Sequence, residues 1–149
     1  MDKEKERLEK ISWALKENQA AVEFVLNLMF IARVWDDIID RDKTITNDFI
    51  NRMMWIALVE IPSNLFYSQY VHYLTPLIRD YINSWLDANN LEKGTEHDKH
   101  IAFVLRDMVG NIIIQCAYII GGYDWMREVS PKIREIQFEE PLSKYMEGL

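Results

Sequence analysis

Apolar residues recur at helical spacing along almost the whole chain, and the period-two alternation of a half-buried strand is nearly absent. The pattern predicts a charged, then amphipathic helix over residues 3–18. A long helix over 19–41 comes next. Thr46 is placed to cap a helix over 47–60, which "IPSN" ends. A short helix falls at 64–72. Thr75-Pro76 reads as an N-cap followed by proline at the first helical position, opening a helix to residue 88. "NNLEKG" reads as a loop. Thr95 with Asp98 has capping-box spacing and opens a helix to residue 120, stopped by Gly121-Gly122. Ser130-Pro131 begins a short C-terminal helix, and Pro141 interrupts the tail. The expectation is an all-α, compact, single-domain bundle of six or seven helices over residues 1–149.

Two of these helices are apolar nearly all round. On the 19–41 helix, Val22, Val25, Met29 and Ala32 lie to one side, with Phe24, Leu28, Ile31 and Trp35 to the other. Such a helix is expected to be central and surrounded. Its polar residues (Glu23, Asn27, Arg33, Asp36, Asp37 and Asp40) share one broad sector. The 95–120 helix has one narrow polar stripe, Asp107, Asn111 and Gln115, at i, i+4, i+8. Residues four apart stack along one helix face. Buried polar groups need partners. A polar hollow shared by the two stripes would satisfy both.

The totals narrow the options. The chain has 149 residues and is 49% hydrophobic, enough for a sizeable core. Its 24 acids outnumber 17 bases, giving a net charge of −7, which disfavours sequence-independent nucleic-acid binding. The single cysteine, Cys116, reads as a small buried hydrophobe. "MDKEKERLEK" does not resemble a signal peptide. "VGNIIIQCAYIIGG" is short for a membrane span and contains Asn111 and Gln115. A cytoplasmic protein without a membrane span is the expectation. His97 and His100 read as solvated residues near a helix start. Neither a nucleophile elbow nor a phosphate-cradling glycine loop is present.

One stretch raises a chemical question. "RVWDDIIDRD" places Asp36, Asp37, Asp40 and Asp42 at the end of an apolar helix. The helix dipole disfavours acids there by about 0.3–1 kcal/mol each, and mutual repulsion adds a few tenths. A divalent cation would reverse the sign. Mg²⁺ takes one or two carboxylates and keeps waters for phosphate oxygens. Arg33 and Arg41 offer a purely protein alternative.

"DDIID", Asp36 to Asp40, resembles the DDxxD motif of class I isoprenoid and terpene synthases. These are all-helical enzymes that hold Mg²⁺ against a prenyl diphosphate. The Asp107, Asn111, Gln115 spacing is similar to their second metal motif, with Gln115 at the acid position, Asn111 at the hydroxyl position and Ile114 where a basic residue is usual. The resemblance implies a reduced terpenoid-synthase-like fold. Asp36, Asp37, Asp40, Asp107 and Asn111 would be Mg²⁺ ligands, and Arg33 and Arg106 would be contacts to phosphate oxygens. The implied activity is that of a Mg²⁺-dependent prenyl-diphosphate lyase or transferase. The alternative reading is a non-enzymatic helical interaction protein, a homo-oligomer, with a degenerate site. In that reading Trp125 of "GGYDWMREVSP" lies at an interface instead of closing the bundle's end.

Overall fold

The structure is a computed structural model that describes residues 2–41 and 43–149. Among the described residues it is all-α, with nine α-helices, one π-helical segment and no strand. They divide into two compact units. A terminal unit takes the chain up to Lys16 together with His72–Leu149, and a middle unit is Glu17–Val71.

The middle unit begins with α2 (Gln19–Asp40), capped by Asn18, whose side chain accepts from the Ala21 amide. The helix ends at Arg41, which adopts a left-handed conformation with φ +58°. Only five of its 22 residues are buried (Ala21, Phe24, Val25, Leu28 and Val34), so α2 is not enclosed on every side. Hydrophobicity in all directions did not bring burial in all directions. Phe24 stacks on Tyr67 at 5.4 Å, and Phe30 meets Phe49 at 6.1 Å.

Thr46 caps α3 (Asn47–Trp55) as its spacing predicts. The chain then widens into a π-helical segment, Ile56–Glu60, and returns to a short α4 (Ile61–Ser63) that carries Pro62. Asn64 ends the run with extended backbone and caps α5 (Leu65–Gln69) by accepting from the Tyr67 amide at 2.9 Å. Its Nδ2 also donates to the Ala20 carbonyl at 2.9 Å, so one side chain fixes both α2 and α5.

In the terminal unit, α1 (Lys3–Ala14) packs along α8 (Val109–Gln137). Trp125 of α8 donates its indole N–H to the Ala14 carbonyl at 2.9 Å and meets Trp13 edge-on at 5.2 Å. The Lys16 ammonium lies 4.8 Å from the Trp125 ring centre. Trp125 therefore closes the end of α1, one of the two roles the sequence left open.

Three helix limits differ from expectation. Helix α6 spans Val71–Leu91, with Pro76 inside it instead of at its start. Near a helix start proline forfeits few intrahelical bonds, so the helix can begin upstream. Pro131 likewise lies inside α8. The predicted 95–120 helix is interrupted: α7 (Glu96–Leu105), opened by the Thr95–Asp98 capping box, stops before a turn at residues 106–108. Gly122 has φ +82° and ψ −171°, which kinks α8 where the paired glycines predict a stop. The last helix, α9 (Leu142–Glu147), follows Pro141.

Candidate functional site

The acidic stretch forms the last turn of α2, which contains no basic residue. Asp36 and Asp37 are half-buried, and Asp40 and Arg33 are exposed. Neither Asp36 nor Asp40 is without a partner. Asp42 lies outside the described residues. Among the described residues no three His, Cys, Asp or Glu side chains converge as a ready-made metal cage.

The break between α7 and α8 reorganises the predicted ladder. Asp107 belongs to the turn, not to the helix that carries Asn111 and Gln115, so the three do not form one continuous row. Asn111 and Gln115 line a hollow of about 220 Å³, together with Asp80 and Tyr81 of α6 and Arg134 of α8. Arg134 donates to the Asn111 side-chain oxygen and, at 3.0 Å, to Gln137 Oε1. The amide stripe thus faces polar company within its own unit.

Asp107 and Arg106 instead line a larger cleft of about 530 Å³ in the terminal unit. Lys3 and Arg7 of α1 reach it, as do Lys144 and Tyr145 of α9. Glu139 and Glu140 add carboxylates at its edge. Arg106 is the best-held cation. Its Nη1 donates to Asn89 Oδ1 at 3.0 Å and pairs with the Glu92 carboxylate; these two side chains are only 16% and 19% exposed. A charged pair with so little water is worth more than an exposed one. Arg7 bridges to Glu139 at 2.9 Å, and its Nε is buried without a partner.

The floor of the cleft is aromatic. Phe103 packs against Tyr145 at 5.2 Å and Phe138 at 5.7 Å. Burial first, and then the negative charge of Glu92, push the Tyr145 phenol above its ordinary range, with Arg106 pulling weakly the other way. It stays a neutral hydroxyl at physiological pH. The Gln137 side chain donates to the Asp107 carbonyl and so fixes the turn from the far end of α8.

Of the site residues expected from sequence, the cleft takes Arg106 and Asp107, while Asn111 falls in the amide hollow. Arg33, Asp36, Asp37 and Asp40 belong to α2 of the middle unit. Sequence reasoning missed Lys3, Arg7, Asn89, Glu92, Lys144 and Tyr145. The first two sit in a run that reads as a solvated end, and Asn89 and Glu92 sit in "NNLEKG", which reads as a loop. Only the spacing of Glu92 four residues after Ala88 could have extended that helix toward them.

Cys116 is buried, and burial pushes its thiol up to about 12, so it is no nucleophile at neutral pH. By length and composition, the helical region Glu96–Glu147 contains one stretch apolar enough to cross a membrane, of which 33% is buried. No protein-family model matches the chain, and no curated protein or solved structure matches it either.

Proposed function

We propose that this protein binds a diphosphate-bearing small molecule together with Mg²⁺, with the phosphate oxygens in the cleft of the terminal unit. The observation that carries the reading is the gathering of Lys3, Arg7, Arg106 and Lys144 around one hollow in a chain of net charge −7. Four basic side chains collected against the overall sign of the chain suit an anion.

Arg106 is oriented by Asn89 and Glu92, so its guanidinium needs little reordering on binding. Lys3 and Lys144 would supply flexible point charges, and Arg7 a second planar donor set. The donor set also fits Mg²⁺ as the phosphate's companion. Asp107 lines the same cleft, and Mg²⁺ needs only one or two carboxylates when phosphate and water fill its other positions. Bound there, the metal would neutralise charge on the diphosphate. The apolar floor of Phe103 and Tyr145 would face the non-phosphate portion. An aqueous, cytoplasmic setting accompanies this reading, because the ligand is charged.

The aspartate turn of α2 enters as a separate Mg²⁺-binding proposal. Its support is three carboxylates in a last turn without a base. Ionisation of an isoprenoid diphosphate, the activity implied by the DDxxD resemblance, would need both proposals to hold.

Calorimetry with inorganic pyrophosphate, with and without Mg²⁺, tests the cleft. Binding is expected to weaken at least about tenfold in the double variant Lys3→Glu/Lys144→Glu, each reversal removing a charge-assisted contact. Unchanged affinity in that variant rejects the cleft. Loss of the Mg²⁺-dependent heat in Asp36→Ala/Asp40→Ala, with metal-free pyrophosphate binding intact, supports the separate role of α2.

A further inference from the structure

Helix α3 has an unusual burial pattern: none of its residues is buried, although Phe49, Ile50, Met53, Met54 and Trp55 are all large and apolar. The side facing away from α2 continues into the π-helical segment. There Met54 is 48% exposed, Trp55 56%, Leu58 67% and Val59 38%. Met54 and Leu58 are four apart, as are Trp55 and Val59, so the four side chains form two adjacent rows on one surface. Leu65, at the start of α5, is 78% exposed. Solvated helix faces ordinarily carry charge. This one carries none among its four ridge residues.

We infer that this ridge docks against the same ridge of a second copy of the chain. The exposed apolar area of these five residues is on the order of 500 Å², at the upper end of what monomers leave uncovered. Two such faces would remove roughly 1,000 Å² from water, the lower bound for a specific interface. Trp and Met at its centre are residue types enriched in interface cores. A two-fold arrangement places the uncharged ridge opposite itself, so no like charges meet at the centre although each copy is acidic. The same acidity argues against a lipid surface. Residues 17–71 carry eight acids and four bases, and anionic headgroups would repel them.

Sedimentation of the full chain over a range of concentrations is expected to show a monomer–dimer equilibrium. Leu58→Glu is expected to raise the dimer dissociation constant at least about tenfold, as charge is forced into the centre of the interface. Because Leu58 is exposed, its helical circular dichroism and melting midpoint should match the parent. Leu65→Glu, at the rim, provides a second variant with a smaller shift. A monomer at every concentration overturns the inference. So does a dimer that both variants leave intact, or co-flotation of the chain with phosphatidylcholine or phosphatidylserine vesicles in place of self-association.

Discussion

Arg106 does two jobs with one guanidinium. It ties the α7–α8 turn to the end of α6 through Asn89 and Glu92, and it presents positive charge to the cleft. Replacing it removes a partly buried partner and leaves the Glu92 carboxylate poorly compensated. Arg106→Ala is expected to lower stability by about 2 kcal/mol, the range for hydrogen bonds to charged groups, read from urea unfolding. Arg106→Lys keeps the charge but not the fork, and should recover only part of the loss. The importance of Arg106 to a phosphate was readable only through the resemblance. Its partners were not readable, because Glu92 stands in a segment whose Asn-Asn and Gly signal a loop. The helix in fact persists to Leu91 and delivers Asn89 and Glu92 to the turn. Thr95 was legible because a capping box is a purely local arrangement. Asp107 was not, since nothing in "LRDMVG" carries the glycine or proline that would mark the break before it at short range.

At the scale of elements, caps were the most legible feature and prolines the least. Thr46 and Thr95 cap where their spacing places them. Pro76 and Pro131 do not open helices, because each helix starts upstream by other means and tolerates a missing donor. Asn64 shows how one residue can join elements. Asn64→Ala loses both the α5 cap and the bond to the Ala20 carbonyl, at about 2 kcal/mol together. Asn64→Asp keeps the cap acceptor and loses the donor, so its melting point should fall between alanine and parent. Gly121 and Gly122 divide their work differently. A Cβ on Gly121 would come within 2.5 Å of the Trp125 ring, whereas a Cβ on Gly122 meets nothing within 4 Å. Gly122 is required for its backbone alone. Gly122→Ala is expected to cost about 1–3 kcal/mol by forcing a side chain into a region reserved for glycine. Chemical denaturation measures that strain without a confounding clash.

Over the whole molecule, the all-α class followed directly from periodicity, while the division into a terminal and a middle unit did not. Helical spacing reports local amphipathicity; it carries no information on which sequence-distant helices meet. The contact between Trp125 and the end of α1, 111 residues apart, is such a case. Trp125→Phe is expected to lose about 1 kcal/mol by leaving the Ala14 carbonyl without its donor. Amide exchange in the last turn of α1 should quicken in that variant while α2 amides hold their protection, because α2 belongs to the other unit. The candidate site divides along the same line. Its resemblance-derived acids come from α2, and its cations come from the two chain ends, a pairing of sources that residue spacing cannot reveal.

The π-helical turn at Ile56–Glu60 also governs how this stretch answers a change in chain length. In an ordinary helix each residue advances the next by about 100°. Excising Ala57 would tighten that loose coil and rotate everything beyond it. Ile61 would leave the interior, and the carboxamide at position 64 would swing away from the carbonyl it now holds. A substitution here edits chemistry, whereas a one-residue gap edits phase, as a skipped tooth mis-times every gear downstream.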